Sequence, residues 1–373
     1  MSKERTRDRV SAGRKVAFVV LVALVVLAMT LAACGDGGAP ASGSGGAAKT
    51  DDTIVGAGAS FPFPLYSKWG QEYNAESGVK LNYQSIGSGG GISAIEQNTV
   101  DFGASDAPLD AAELEAEGLV QFPMCVGGIV MVVNLDGVES GALKLDADTL
   151  ASIYMGTITS WDDAAIKSLN PGLDLPATDI TVAHRSDGSG TTWIFTNYLT
   201  AAAGDVWTAG ADKEIDWPTG VGGKGNEGVA ASVQQVKGSI GYVEYAYAKQ
   251  NSMTWTQLQN ADGKFVDPSL ESFGEAAAKA DWAGTPGFAV VLVDQPGPDT
   301  WPITGASFIL MRKEQDDATR GKMTLDFFDW AYASGATSAE ALDYVPIPDK
   351  VSELVRSDAW SQITADGAPV WKP

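Results

Sequence analysis

The sequence has little histidine and little positive charge: one histidine, His184, and 25 Lys and Arg residues against 47 Asp and Glu residues in 373. A single histidine excludes metal sites built from several histidines and leaves a Ser-His-Asp triad dependent on His184 alone. The formal net charge of −22 argues against nucleic acid as a partner. We predict no metal site and no cofactor.

Residues 1–33 are typical of an export signal, with six Lys and Arg residues, an uncharged and mostly apolar run from residue 16, and the ending LAAC. About eighteen apolar residues can also span a bilayer, so a permanent anchor is the alternative. LAAC favours cleavage because it resembles the lipobox of bacterial lipoproteins, in which the cysteine becomes the lipidated first residue. We predict lipidation at Cys34, which leaves Cys125 unpaired and expected to be a small buried side chain.

Residues 34–52 are mostly Gly, Ala and Ser without apolar periodicity, and this composition predicts a flexible tether. The remaining chain, from residue 53 onward, is too long for one typical core and predicts two domains. The acidic surface repels an anion at long range, but salt screens charges beyond about 8 Å. An anion must therefore be bound by short-range donors.

Three segments near the start of this body each predict a strand, a turn of small polar residues and a helix. The turns hold Ser60 and Phe61 in GAGASFPFPLYSKW, Ser88 in IGSGGG, and Asp106 in DFGASDAPL. In open α/β sheets, ligands lie beyond the carboxyl ends of the strands, where such turns gather. None of the glycine runs fits a nucleotide-binding fingerprint.

The segment HRSDGSGTTW predicts an anion pocket at a helix start. Arg185 offers a planar fork of donors, and Gly188 and Gly190 leave the backbone accessible to a ligand. Ser189 and Thr191 add hydroxyls and helix N–H groups. The alternative is a capped helix with a solvated arginine. Farther along, we predict a helix at residues 225–237, a strand in WPITGASFILM and a helix in PDKVSELVRSDAWSQI.

Several long stretches, in order and at suitable spacing, resemble the phosphate-binding protein family of the bacterial high-affinity phosphate ABC transporter. They are GAGASFPFPLYSKW, IGSGGG, VDFGASDAPL, RSDGSGTTWIFTNYL, GVGGKGNEGVA, GYVEYAYAKQ and FFDWAYASGA. The resemblance covers residues 53–373. It implies an α/β fold of the two-lobed type II periplasmic-binding-protein class, with residues 53–124 and 303–373 in lobe I and residues 125–302 in lobe II.

The resemblance also implies which residues contact phosphate: Ser60, Phe61, Ser88, Asp106, Arg185, Ser189, Gly190 and Thr191. It implies that Asp187 holds the Arg185 guanidinium in place, although a helix-capping aspartate is an equal alternative from the sequence. Asp106 likewise has the alternative of capping a helix that starts at Pro108. His184 matches no binding position and is expected to be structural or at the surface.

The function implied is a non-enzymatic, monomeric receptor that captures inorganic phosphate and delivers it to the membrane subunits of an ABC transporter. It would be held at the outer face of the cytoplasmic membrane by its lipid anchor. One alternative is a receptor for another oxyanion such as sulfate. Another is a phosphate-ester hydrolase with Ser88 or Ser189 as nucleophile, but no second histidine, metal cluster or G-x-S-x-G turn supports it.

Overall fold

The structure is a computed structural model that describes residues 52–372. Its strands are β1 (Thr53–Gly58), β2 (Lys80–Ser85), β3 (Phe102–Ser105), β4 (Leu119–Val133), β5 (Lys144–Leu145), β6 (Thr181–Arg185), β7 (Val221–Gly223), β8 (Ser239–Glu244), β9 (Thr254–Trp255), β10 (Gln257–Gln259), β11 (Phe265–Val266), β12 (Thr304–Arg312), β13 (Val345–Pro346), β14 (Thr364–Ala365) and β15 (Ala368–Pro369).

The α-helices alternate with these strands along much of the chain. They are α1 (Phe63–Ser77), α2 (Ser88–Glu96), α3 (Ala111–Ala116), α4 (Ala147–Tyr154), α5 (Ala164–Leu169), α6 (Gly190–Ala202), α7 (Gly225–Gln235), α8 (Tyr245–Gln250), α9 (Leu270–Ala277), α10 (Ala318–Ser334), α11 (Ala336–Ala341) and α12 (Asp349–Leu354). Within residues 52–372 no helix combines the length and the apolar character needed to cross a membrane.

One ten-stranded sheet dominates, in the order β2-β1-β3-β12-β4-β8-β6-β7, with β9 and β13 also paired to β4. At one end β1 is parallel to β2 and β3, and at the other β6 is parallel to β7 and β8. The central strands β12 and β4 are antiparallel. In each group of parallel strands, the carboxyl ends of the strands therefore lead into the starts of helices. Binding sites form at such positions in α/β sheets.

Strand β4 runs through the middle of the molecule and is buried along all of its 15 residues. Its sequence is a continuous apolar run rather than an alternating one, as expected for a strand covered on both faces. Up to Gly128 it pairs with β12, and from Ile129 it pairs with β8. The change of partner lies near Cys125, which is buried and unpaired as predicted.

The predicted local structure is largely confirmed. Each of the three N-terminal turns joins a strand to a helix, and α7 ends at Gln235, close to the predicted end at residue 237. The helix predicted in PDKVSELVRSDAWSQI is only six residues long as an α-helix, because the chain continues as a π-helical turn at Val355–Ala359 and a 3-10 turn at Trp360–Gln362. The predicted signal peptide, the lipidated Cys34 and nearly all of the tether lie outside the described residues.

Candidate functional site

The Ser60–Phe61 turn lies between β1 and α1, and both residues are buried. The Ser60 hydroxyl oxygen accepts hydrogen bonds from the backbone N–H of Asn226, at 3.1 Å, and from its side-chain amide, at 2.8 Å. The Tyr247 hydroxyl donates to the Ser60 carbonyl at 2.6 Å. The turn is thus tied to α7 and α8, more than 160 residues away in the chain.

Ser88 begins α2 and joins three of the predicted segments. Its hydroxyl oxygen accepts a hydrogen bond from the Asp106 N–H at 3.1 Å and another from the Gly190 N–H at 3.0 Å. A side chain at Gly190 would place its Cβ 2.5 Å from the Cβ of Asp106 and 2.6 Å from the Ser88 hydroxyl oxygen. Glycine is therefore required at position 190 for this approach.

Asp106 follows β3 and is only 2% exposed. Its Oδ1 atom is buried and has no hydrogen-bond partner among residues 52–372. Burial raises the pKa of Asp106 to about 7, while the Ser307 hydroxyl, the Arg185 charge and the Ser88 hydroxyl act in the opposite direction. Asp106 therefore changes its charge close to neutral pH.

The helix after Asp106 is not capped by that residue. It starts at Ala111, and Asp110 caps it by accepting hydrogen bonds from the N–H groups of Ala112 and Glu113, both at 2.8 Å. The alternative of a capping Asp106 is therefore wrong. The Asp106 carboxylate is left without a role in helix capping.

Arg185 is the last residue of β6 and is 3% exposed. Its Nε and Nη2 atoms donate to the two Asp187 carboxylate oxygens, at 2.8 and 2.5 Å, and Nη1 donates to the Thr191 hydroxyl at 3.3 Å. Burial alone would raise the pKa of Asp187, but the Arg185 guanidinium and the Gly225 N–H hold it below its ordinary value. Asp187 remains ionised and orients the guanidinium.

Helix α6 begins at Gly190, a short distance along the chain from Arg185 and its partner Asp187. Its cap is Ser189, whose hydroxyl oxygen accepts a hydrogen bond from the Thr192 N–H at 3.0 Å. Asp187 is therefore not the cap of this helix. It accepts instead from the N–H of Gly225, the first residue of α7, at 3.1 Å.

Asn226 is a site residue that sequence reasoning missed. It is fully buried near the start of α7, and its side-chain amide donates to Ser60 and, at 3.3 Å, to Thr191. Its side-chain oxygen accepts from the Glu244 N–H at 2.8 Å. The only sequence indication is its position after a glycine run at a predicted helix start.

Three hydroxyls in this cluster share one property: each oxygen accepts two hydrogen bonds from N–H groups. A hydroxyl has two lone pairs and one proton, so each one is left as a donor. The three residues are Ser60, Ser88 and Thr191. Helices α2, α6 and α7 also begin here, and the positive ends of their dipoles favour negative charge. The site therefore suits a small ligand rich in acceptors and negative charge.

The one histidine packs beside this cluster against an aromatic side chain. His184 is half-buried and stacks on Trp217, with ring centroids 4.9 Å apart, and burial lowers its pKa. That His184 is structural or at the surface stays a prediction. Within residues 52–372, no group of three His, Cys, Asp or Glu side chains is placed to hold a metal ion.

Comparison with known proteins gives consistent matches. A family model described as a PBP superfamily domain matches residues 43–334. A relative from Xylella fastidiosa, named phosphate-binding protein PstS, is 54% identical over 306 residues, which cover 82% of this chain and 84% of the relative. A relative of the same name from Pasteurella multocida is 50% identical over 323 residues, covering 86% and 94%. This chain belongs to the PstS phosphate-binding protein family.

Membership of the PstS family confirms the resemblance and the predicted α/β, two-lobed periplasmic-binding-protein class. Among solved structures, a phosphate binding protein from Stenotrophomonas maltophilia is similar with a TM-score of 0.61 at 22% identity, covering 82% of this chain and 93% of that chain. At this identity the likeness shows the fold alone.

Proposed function

We propose that the protein is a monomeric extracytoplasmic receptor that captures inorganic phosphate and delivers it to the membrane subunits of an ABC transporter. The observation that carries the proposal is the set of three buried hydroxyls, Ser60, Ser88 and Thr191, each left as a donor by two accepted hydrogen bonds. Their donors suit phosphate oxygens. The relatives' names, phosphate-binding protein PstS, support the same ligand.

In this proposal the phosphate contacts come from the three N-terminal turns and from the start of α6. Arg185 supplies charge-assisted hydrogen bonds, and Asp187 holds its guanidinium. The ionised Asp106 accepts a hydrogen bond from a protonated phosphate oxygen, whereas sulfate at the same pH carries no proton to donate. The contacting residues are Ser60, Phe61, Ser88, Asp106, Arg185, Ser189, Gly190 and Thr191.

A hydrolase with Ser88 or Ser189 as nucleophile has less support from the site. A nucleophilic serine needs a base to take its proton, and His184 stacks on Trp217 instead of contacting either serine. We propose that no residue here is catalytic. The purified protein should retain phosphate stoichiometrically without turning over a chromogenic phosphate ester, and sustained turnover would favour the hydrolase.

Closure of two lobes on the ligand is the second part of the proposal. Lobe I comprises residues 53–124 and 303–373, and lobe II comprises residues 125–302. The cluster is buried, which is the arrangement expected of the closed form. Phosphate should shift the population toward this form, so X-ray scattering should report a smaller radius of gyration with phosphate. An unchanged radius would count against closure.

The third part is the membrane anchor. We propose that residues 1–33 are removed and that the mature chain begins at a lipid-modified Cys34, at the outer face of the cytoplasmic membrane. Intact-mass analysis of native material should find diacylglyceryl cysteine at the N-terminus. Recovery of a chain that retains residues 1–33, or of an unmodified secreted chain, would contradict this assignment.

A further inference from the structure

A second buried carboxyl lies next to the site but outside the set of predicted phosphate contacts. Glu244 ends β8 and is fully buried. Its Oε2 atom accepts the Ala246 N–H at 2.9 Å and lies 2.8 Å from the Tyr344 hydroxyl. Its Oε1 atom has no hydrogen-bond partner within residues 52–372. No positively charged side chain pairs with this carboxyl in that part of the chain.

The single proton of Tyr344 limits the hydrogen bonds that an ionised Glu244 can share with it. The Tyr344 hydroxyl oxygen lies 2.7 Å from the Phe61 carbonyl oxygen and 2.8 Å from Glu244 Oε2. A hydroxyl has one proton to donate, and a carbonyl can only accept. If the proton goes to Phe61, the contact with Glu244 is favourable only when Glu244 itself donates. A protonated Glu244 thus completes a chain from Glu244 through Tyr344 to Phe61.

The segment that begins at Glu244 also holds the peptide group between Ser60 and Phe61. Tyr247, three residues after Glu244, donates to the Ser60 carbonyl, which shares a peptide group with the Phe61 N–H. The Glu244 N–H meanwhile orients Asn226, which donates to the Ser60 hydroxyl. Both carbonyls of the Ser60–Phe61 turn are therefore held by tyrosines, and one of these, Tyr344, contacts the Glu244 carboxyl.

We propose that Glu244 is a positioning residue that carries a proton at neutral pH and, through Tyr344, holds the Ser60–Phe61 turn in its phosphate-binding arrangement. The inference rests on the proposed function and adds a residue to it. A neutral carboxyl beneath the site also avoids a further negative charge beside an anion. Ionisation of Glu244 would leave two acceptors competing for one Tyr344 proton, which would loosen the turn.

Burial and two neighbouring carboxylates favour the protonated form of Glu244. Burial raises the pKa of Glu244 to about 8, with further increases from Asp343 and Asp106. The Ala246 N–H acts in the opposite direction, as does the Tyr344 hydroxyl when it donates to Glu244 and not to Phe61. Lys249 pairs with Asp343 at 2.7 Å, which reduces the influence of that carboxylate. The titratable groups that face Glu244 are Asp106, Cys125, Tyr245, Tyr247, Asp343 and Tyr344.

The test compares phosphate titrations of the parent and of Glu244→Gln at several pH values. The amide is neutral at every pH, and the ionisation of phosphate is common to both proteins. The ratio of the two dissociation constants therefore reports the ionisation of Glu244, including its influence on the nearby Asp106. Above the Glu244 pKa of about 8, the protonated fraction falls about tenfold per pH unit. Between about pH 7 and about pH 9, the phosphate affinity of the parent should therefore fall about tenfold relative to that of the variant.

Two further variants make the test specific. Tyr344→Phe removes the connecting hydroxyl, so adding Glu244→Gln to it should change the pH profile no further. Glu340→Gln, an exposed carboxylate four residues before Tyr344, is the matched control and should keep the parent's profile. A constant ratio of parent to Glu244→Gln across this pH range would overturn the proposal.

Infrared spectroscopy reports the proton independently of phosphate binding. The difference spectrum of parent minus Glu244→Gln at neutral pH should contain the carbonyl band of a protonated carboxyl group. Carboxylate bands alone would overturn the proposal even if phosphate binds as proposed. A protein that shows the protonated band but binds no phosphate would instead refute the proposed function, so the two failures are distinguishable.

Discussion

At the level of single residues, we propose that the choice between phosphate and sulfate depends on Asp106. Its buried Oδ1 atom has no partner within residues 52–372, and its pKa of about 7 places its change of charge near neutral pH. An ionised carboxylate accepts hydrogen bonds only. In this proposal phosphate brings a proton to this position, whereas sulfate would bring lone pairs, so specificity would come from a repulsive contact.

We expect Asp106→Asn to bring the phosphate-over-sulfate preference down by at least about tenfold, since an unpaired buried acceptor costs about 1–3 kcal/mol and more when charged. In the parent, sulfate should bind more weakly as the pH rises through about 7, because the protonated carboxyl can donate to sulfate and the ionised one cannot. Competition titrations measure both effects. A variant that keeps the parent's preference would remove Asp106 from the selectivity argument.

Arg185 is the residue whose loss should weaken binding most. Arg185→Ala removes a buried guanidinium that is already oriented by Asp187, and charge-assisted hydrogen bonds contribute about 1.5–3 kcal/mol each. Two such bonds to phosphate predict a loss of at least about 100-fold in affinity, measured by calorimetry. Circular dichroism should establish that the variant is folded. Parent-like affinity in a folded variant would exclude Arg185 from the site.

At the scale of elements, the sequence predicted local units better than their long-range contacts. The three βα turns and the start of α6 followed from small polar residues between apolar segments, and all are present. Asn226 and Glu244 were not predicted, because their burial depends on contacts with Ser60 and Tyr344, which lie 166 and 100 residues away in the chain. Such pairings leave no periodic pattern in a single sequence.

Helix α3 distinguishes the two neighbouring aspartates. Asp110 forms a capping box with Glu113, so Asp110→Ala should lower the free energy of unfolding by about 1 kcal/mol in denaturant titrations. Phosphate affinity and the preference over sulfate should stay at the parent's values, which makes this variant the control for Asp106→Asn. A change in selectivity without a change in stability would reverse the roles assigned to the two residues.

At the scale of the whole molecule, an acidic protein is proposed to capture an anion. The net charge of −22 repels phosphate at long range, so binding depends on a buried site where the nearby helix starts and Arg185 are not screened by water. Two of its acidic groups, Asp106 and Glu244, are buried within and beside this site. Their protons couple the stability of the molecule to pH.

The stability of this closed, buried form should therefore fall between about pH 4 and about pH 8. Burial raises the pKa of Asp106 from 3.8 to about 7 and that of Glu244 from 4.5 to about 8, so the folded chain keeps protons that the unfolded chain releases. The stabilisation of the folded chain by these protons is fully present below about pH 4 and is lost above about pH 8. It is on the order of 4 kcal/mol for each carboxyl.

Denaturant unfolding of the parent and of the double variant Asp106→Asn, Glu244→Gln measures this dependence. The double variant should show a much flatter profile over the same range. Asp187, a carboxyl whose pKa is lowered by folding, acts at more acidic pH. His184, whose pKa burial lowers from 6.5, acts within this window but contributes to both proteins alike. Equal slopes in the two proteins would contradict the assignment of the buried protons.

The most direct test of the account is a calorimetric titration of the purified protein with inorganic phosphate in the presence of excess sulfate near neutral pH. Binding should be saturable at one phosphate per chain, because one cluster joins the donors of the three N-terminal turns to Arg185 and the start of α6. Absence of saturable binding, or displacement of phosphate by sulfate at comparable concentrations, would contradict it.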